Sequence, residues 1–230
     1  PVTAVITARF DPSTSVVPFP INLLLSGTRD LTLNIPVSNP ADFSNPQVAL
    51  NALDGFSTVA PATFQLSAAP RTSKLVAGTG IRVFQVTLTG PGGAVTGITR
   101  ELTPTSEFVV APTTSDTTGR TIAIVPTAPL KQVTSYMVVI TSDITDNAGN
   151  DATPDTTYFL TQRTSPLCVN GASTDPLLPT SSACALEPLR LLTNAQEAAA
   201  SAAGVPKSKI VLSWVFTTQS ITPTLQAARA

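Results

Sequence analysis

The segments Ile81–Leu88, IRVFQVTL, and Ser135–Thr141, SYMVVIT, decide the fold, because both are short runs rich in β-branched and aromatic residues. Each run is followed by turn-forming residues, GPGG at 90–93 in the first case and DNAGN at 146–150 in the second. Four further runs have the same character: Thr63–Ser67, Glu107–Ala111, Arg120–Val125 and Thr156–Thr161. Short strands that repeat at this spacing predict a β-sandwich over residues 57–163.

Residues 1–56 differ from this region, because prolines at positions 12, 18, 20, 36, 40 and 46 interrupt them. Only Thr3–Phe10 and Leu31–Val37 have the pattern of a strand, and Pro36 indicates that the second is an edge strand or ends early. We therefore expect an extended N-terminal arm that packs on the sandwich.

Residues 164–230 are expected to contain a loop, one α-helix and one strand. The helix is predicted to begin near Pro188, which suits a first turn, and to end at Gly204. Lys209–Thr217 predicts a strand that is apolar on both faces, so it belongs inside a sandwich or beneath a neighbouring domain. Leu225–Ala230 has the composition to begin another helix, and we expect the native chain to continue.

The two cysteines, Cys168 and Cys184, flank a segment of Asn, Gly, Ser, Thr and Pro in which free thiols would be poorly shielded. We predict a disulfide between them, which would contribute about 3 kcal/mol by closing the intervening loop. Two buried free thiols are the alternative. A disulfide, together with the low lysine content, indicates an exported protein.

Composition excludes several functions. Charged residues make up only 12% of the chain and the net charge is −1, too little positive charge for nucleic-acid binding. No apolar stretch approaches the roughly 20 residues of a membrane span. The chain contains no histidine, so it cannot hold a complete Ser-His-Asp or Cys-His triad, or a His-ligated zinc.

No motif supplies a catalytic, cofactor or metal site. A G-x-S-x-G elbow is missing, and Gly78-Thr79-Gly80 leads into a strand without the third glycine of a dinucleotide motif. The densest acidic group is Asp143, Asp146, Asp151 and Asp155, with Asn147 and Asn150 between them. These residue types favour a tight turn, and a calcium site is the alternative. Residues that bind a ligand cannot be named from the sequence.

Aromatic residues within the predicted strands are expected to be buried in the core: Phe84, Tyr136, Phe159, Trp214 and Phe216. Tyr136 follows a turn, so its hydroxyl could bond back to the backbone as in a tyrosine corner, or it could be an ordinary core residue. The arm aromatics, Phe10, Phe19, Phe43 and Phe56, are expected to anchor the arm to a sheet.

Several motifs resemble a known family. In the arm they are ARFDP at 8–12, VPFP at 17–20, LTLNIP at 31–36 and ALNALDGFS at 49–57. These resemble the N-terminal region of bacterial extracellular virulence factor lipases. The middle of the chain has PL at 129–130, TSY at 134–136, VVI at 138–140 and DNAGN at 146–150, and it resembles immunoglobulin-like (Ig-like) modules found there and in surface-layer proteins. This second resemblance implies that the β-sandwich at 57–163 is Ig-like. Val133 departs from such modules, which often have glycine at that position.

The resemblance implies a non-catalytic accessory domain of a secreted or surface-anchored lipase or phospholipase, whose α/β-hydrolase domain lies further along the same chain. It implies no catalytic residue here, because no position matches one. Expected partners are that hydrolase domain and, through the parent, a lipid surface; the chain itself is expected to be a monomer without a cofactor. A cell-surface module that binds glycans or proteins and an inert spacer remain the alternatives.

Overall fold

The structure is a computed structural model that describes residues 5–27 and 32–222. In these residues the protein is mainly β, with one long helix near the C-terminal end. The strands are β1 Thr7–Ala8, β2 Ala62–Gln65, β3 Ile81–Leu88, β4 Val95–Glu101, β5 Phe108–Pro112, β6 Thr121–Pro126, β7 Ser135–Thr141, β8 Thr153–Pro154, β9 Cys168–Val169, β10 Ala172–Ser173 and β11 Ile210–Thr217. The α-helices are α1 Pro46–Leu50, α2 Thr156–Thr161 and α3 Thr180–Ala202.

Two antiparallel sheets face each other, as a sandwich requires. The central sheet has the order β11-β7-β3-β4, and the outer sheet has the order β2-β6-β5. One apolar core lies between them, with Phe64 and Phe108 from the outer sheet against Trp214 and Phe216 from the central sheet. The mainly β fold is thus confirmed, and the Ig-like topology stays a prediction.

Helix α3 forms a third layer on the other face of the central sheet. Ala200 of the helix and Val205 just beyond it share a second core with Met137 and Val139 of β7 and Val215 of β11. Strands β7 and β11 are therefore covered on both faces, which explains why both are apolar at nearly every position.

The arm packs along the sandwich. Its strand β1 pairs in parallel with β8, and Phe10 contacts Tyr158 of α2 edge to face, with ring centroids 5.7 Å apart. Further along, the Phe56 N–H donates to the Thr217 carbonyl at 2.9 Å. Phe10 and Phe56 are buried, so they anchor the arm as predicted.

The other two arm aromatics are not buried. Phe19 is half exposed and packs edge to face on Phe56, whereas 84% of Phe43 is exposed. Burial of Phe43 was therefore a wrong expectation, since this side chain lies in a polar turn just before α1.

The predicted strand at 31–37 is not present in residues 32–37, and Leu31 lies outside the described residues. The Asn51 side chain makes the two backbone hydrogen bonds with Ile35 that a neighbouring strand would otherwise make. The Ile35 N–H donates to Asn51 Oδ1 at 2.7 Å, and Asn51 Nδ2 donates to the Ile35 carbonyl at 2.9 Å. Of the other arm strand, only Thr7–Ala8 pairs, and residues 3 and 4 lie outside the described part.

The segment Thr156–Thr161 is a helix, not the predicted strand. Asp155 explains the difference, because its carboxylate accepts a hydrogen bond from the Thr157 N–H at 3.0 Å and so caps the helix. The helical turn puts Tyr158 inside and leaves 60% of Phe159 exposed, so the expected burial of Phe159 was also wrong.

Helix α3 begins at Thr180, eight residues before the predicted start, and Pro188 lies inside it. Cys184 is therefore on a helix, not at the end of a loop. The predicted C-terminal end is close to the observed one, with Gly204 at φ 82° just beyond the helix. The possible helix at 225–230 lies outside the described residues.

The turn before β7 has the geometry of a tyrosine corner. The Lys131 N–H donates to the Tyr136 hydroxyl at 3.0 Å, and Tyr136 is buried. Val133 in this turn has φ 49°, a left-handed conformation that is strained for a β-branched residue. Ig-like modules often have glycine at this position, and the left-handed backbone of Val133 is one that favours glycine.

Strand β4, which no sequence pattern indicated, forms one edge of the central sheet.

Candidate functional site

A concave surface lies between the arm and α3, and we call it the arm–helix groove. It has a volume of about 790 Å³ and is lined by Pro12 and Leu23 of the arm, Leu160 of α2, and Leu186 and Leu189 of α3. Asp11 shapes the arm here, because its carboxylate accepts hydrogen bonds from the Ser13 N–H at 3.0 Å and from two nearby hydroxyls. These bonds lower the pKa of Asp11 and cap a short 3-10 helix.

A smaller hollow of about 330 Å³, which we call the edge cavity, lies beside β11, the edge strand of the central sheet. Its lining includes Asn22 of the arm, Gln196 of α3, and Ser213 and Trp214 of β11. Four residues line both the groove and the cavity: Leu23, Ser26, Leu189 and Leu192. The two spaces therefore adjoin.

Two buried polar atoms of the edge-cavity lining have no hydrogen-bond partner within the described residues. They are Trp214 Nε1, a donor, and Asn22 Oδ1, an acceptor. Trp214 is 1% exposed and Asn22 9% exposed, and Asn22 Nδ2 is already used to donate to Thr217 Oγ1 at 3.0 Å. Such unpaired groups are costly and rare, so they need a physical explanation.

A buried polar network begins at the edge cavity and runs beneath α3. Ser213 Oγ donates to Gln196 Oε1 at 2.8 Å and lies 2.7 Å from the Tyr158 hydroxyl. The Tyr158 hydroxyl is 3.4 Å from Glu197 Oε1, and this carboxylate oxygen accepts a hydrogen bond from Gln162 Nε2 at 2.6 Å. Each hydroxyl has one hydrogen, so with Ser213 donating to Gln196, Tyr158 donates to Ser213.

Glu197 is fully buried, which is unusual for a carboxyl group. Burial raises its pKa above the ordinary 4.5, although the Gln162 amide and the Lys207 ammonium, 3.2 Å from Oε2, act in the opposite direction. Burial also raises the pKa of Tyr158 well above its usual range.

The raised pKa of Glu197 predicts a pH effect on stability. The folded state holds the Glu197 proton above pH 4.5, where the unfolded state has lost it, so this group favours folding at low pH. Relative to Glu197→Gln, the free energy of unfolding of the unaltered protein should fall as the pH rises from 4.5 through the raised pKa. Chemical denaturation of both proteins at several pH values measures the difference.

Glu187→Gln on the same helix is the matched control. The Arg190 guanidinium lowers the pKa of Glu187, so this group stabilises the fold above pH 4.5 and loses that effect as the pH falls through its lowered pKa. The two differences should thus have opposite slopes. Equal slopes for both variants would contradict the assignment of Glu197.

The structure joins Cys168 of β9 and Cys184 of α3 by the disulfide that the sequence predicted, with the Cα atoms 4.8 Å apart. It ties the β9–β10 hairpin to the N-terminal half of α3. The bond lies outside the lining of both spaces, so its place in the fold indicates a structural role.

The acidic group at 143–155 forms the predicted turn. Asp146 Oδ1 accepts from the Asn150 N–H at 2.8 Å, and Asp143 pairs with Lys209 at 2.7 Å. Within residues 5–27 and 32–222, no three His, Cys, Asp or Glu side chains are grouped so that they could hold a metal ion.

Sequence analysis assigned no functional role to any residue around the edge cavity. Two signals were visible: Ser213 is the single polar residue between Ile210 and Phe216, and Glu197 stands in an alanine-rich stretch. A lone polar residue in an apolar element is a candidate for a buried network. The partners of Ser213, Tyr158 and Gln196, are 55 and 17 positions away in the sequence, so only the fold identifies them.

Comparisons with known proteins give three results. The family model described as bacterial virulence factor lipase N-terminal matches residues 6–230. Curated proteins give no match. Among solved structures, the crystal structure of the S-layer protein rSbsC(31-844) is similar with 13% identity and a TM-score of 0.24, over 46% of this chain and 13% of that chain.

Among the described residues, no helix has both the length and the apolar character needed to cross a membrane. The family match spans nearly the whole sequence, so this chain belongs to the bacterial virulence factor lipase N-terminal family.

Proposed function

We propose that this chain is a non-catalytic accessory domain of a secreted or surface-anchored bacterial lipase or phospholipase. In this proposal it positions an α/β-hydrolase domain of the same polypeptide and helps to present that domain to lipid. The observation that carries the proposal is the family match over residues 6–230 in a chain that has no histidine.

The chemistry of ester hydrolysis supports this division of roles. A serine hydrolase needs an imidazole to take the proton from its nucleophile and return it to the leaving group. This sequence offers neither an imidazole nor a G-x-S-x-G elbow, so the bond-breaking step belongs to another part of the parent. The disulfide supports a secreted or surface location, because such bonds persist in oxidising compartments.

A binding module is the second candidate, and the arm–helix groove favours it over an inert spacer. The groove is concave and mostly apolar, and Leu177, next to the lining residue Leu178, is 92% exposed. An evenly polar surface would suit a spacer better. We further propose that the chain consists of an arm at 1–56, a sandwich at 57–163 and a following segment at 164–230, whose strand β11 adds to the central sheet of the sandwich.

The experiment compares three proteins: the parent enzyme, the parent without residues 1–222, and residues 1–230 alone. Each is assayed on a soluble short-chain ester and on emulsified triacylglycerol or phospholipid vesicles. We expect the shortened parent to lose activity on dispersed lipid more than on the soluble ester, and residues 1–230 to hydrolyse neither. Equal activity of both parent forms on both substrates would contradict the accessory role.

A further inference from the structure

Three side chains of different chemistry meet beside the C-terminal half of α3, in a group that we call the amine–amide cluster. Its members are Asn194 and Glu197 of α3 and Lys207 of the short 3-10 helix Lys207–Lys209, which leads into β11. Lys207 Nζ lies 3.3 Å from Asn194 Oδ1 and 3.2 Å from Glu197 Oε2. The amine is thus in contact with a carboxamide and with a buried carboxyl group at the same time.

The Asn194 amide is held in one orientation. Its Nδ2 donates to three backbone carbonyls at 2.8 to 3.1 Å, those of Thr161, Arg163 and Arg190. These bonds leave Oδ1 facing Lys207, so the amide carbon, one covalent bond from Oδ1, lies close to the amine. An amide nitrogen has two hydrogens for these three acceptors, whereas a departing ammonia molecule has three.

Glu197 supplies the base that this amine needs. A lysine side chain becomes a nucleophile only after its ammonium group has lost a proton. Glu197 is fully buried, and burial favours the uncharged form of a carboxyl group, so this carboxylate takes up a proton more readily than an exposed one. Oε2 lies within the usual reach of a general base from Lys207 Nζ and makes no other hydrogen bond within the described residues.

We propose that Lys207 and Asn194 join in a spontaneous isopeptide bond, with Glu197 as the catalytic proton carrier. Glu197 Oε2 takes a proton from the Lys207 ammonium, and the neutral Nζ attacks Asn194 Cγ. The Nζ–Cγ bond forms and the Cγ–Nδ2 bond breaks. Both protons that Nζ gives up pass through Glu197 to Nδ2, which leaves as an ammonium ion. Glu197 ends in the state in which it began, and no oxidant, cofactor or second substrate takes part.

The bond fastens the C-terminal half of α3 to the segment that enters β11. The disulfide at Cys184 already fastens the N-terminal half of the same helix to the β9–β10 hairpin. A thiol reductant opens the disulfide but not an amide, so the second cross-link persists where the first is lost. The Lys207 side chain is 43% exposed, which gives the ammonium ion a way out to solvent.

Trypsin digestion and mass spectrometry of residues 1–230 test the proposal directly. Trypsin cuts an unmodified chain after Arg190, Lys207 and Lys209. A cross-linked Lys207 resists cleavage, so both partners stay in one peptide, 191–209. We expect this peptide, and the intact protein, to lack the mass of one ammonia molecule after incubation until the mass no longer changes. Loss of ammonia at the Asn-Gly pair 170–171 falls in a different peptide, 164–190.

Variants separate this reaction from other causes of the same mass change. Lys207→Arg keeps the positive charge, but a guanidinium group stays protonated and does not attack an amide. Lys209→Arg is the matched control, because Lys209 pairs with Asp143 outside the cluster. We expect Lys207→Arg to have its full sequence mass and Lys209→Arg to lack one ammonia. Glu197→Gln cannot carry a proton and should slow formation of the bond at least about tenfold.

Circular dichroism checks the folding of each variant, and Lys207→Arg, which alters an exposed side chain, decides the matter if Glu197→Gln does not fold. The proposal is overturned if the unaltered protein has its full sequence mass and is cut after Lys207, which would mean that the cluster is an ion pair with hydrogen bonds only. It is also overturned if peptide 191–209 of Lys207→Arg lacks one ammonia, or if Glu197→Gln reacts as fast as the unaltered protein. None of these outcomes depends on the activity of a parent enzyme.

Discussion

Replacing Trp214 by alanine is expected to lower the free energy of unfolding by about 3–5 kcal/mol, as is usual for a large aromatic residue removed from a core. Trp214 is 1% exposed and lies between the two sheets, where its ring centroid is 6.0 Å from that of Phe64. A loss of this size is a large part of the roughly 5–15 kcal/mol that stabilises a typical domain. Urea denaturation followed by far-ultraviolet circular dichroism measures it without relying on tryptophan fluorescence.

Phe43→Ala is the control for this experiment, because 84% of the Phe43 side chain is exposed. Its effect should stay within about 0.5 kcal/mol. A small effect of Trp214→Ala, comparable with that of Phe43→Ala, would mean that β11 does not complete the sandwich core.

Removing the disulfide by the double change Cys168→Ser and Cys184→Ser should cost about 3 kcal/mol, the loop-closure estimate for a bridge of this span. The two residues are 16 positions apart, and their bond ties the β9–β10 hairpin to the first half of α3. The bridge restricts the unfolded chain, so its loss stabilises the unfolded state. Chemical denaturation of the double variant and of the unaltered protein under oxidising conditions gives the difference in their free energies of unfolding.

The unaltered protein in excess reductant is the second arm of this experiment and should match the double variant. If the oxidised protein and the serine variant unfold at the same denaturant concentration, the bridge contributes nothing to stability and its structural role is refuted.

The strands that sequence analysis located best are those whose pattern comes from burial on both faces. β3, β7 and β11 agree with the predicted ranges to within a residue, because continuous apolar runs have few other placements. Thr156–Thr161 was predicted as a strand because TTYFLT has a strand-like composition. The segment is helical because the Asp155 carboxylate caps its first turn. The early start of α3 was missed for a similar reason. Proline is common in the first turn of a helix, so Pro188 predicted the start of α3, but in the structure it lies inside the helix.

The candidate site lay beyond sequence reasoning for a different reason. The edge cavity brings Asn22 of the arm beside Ser213 and Trp214 of β11, residues about 190 positions apart whose approach depends on the packing of the arm. No local pattern encodes such a contact. What the sequence did establish is the lack of histidine, which excludes a catalytic triad that depends on histidine.

The most direct measurement of the central claim is an ester-hydrolysis assay of purified residues 1–230 with p-nitrophenyl esters and phospholipid vesicles. We expect no turnover above the buffer rate at any pH from acid to alkaline, because no group here can act as the imidazole base of a serine hydrolase. Sustained turnover that copurifies with the protein and disappears when a single serine or acidic residue is replaced would show that this domain carries out the reaction itself.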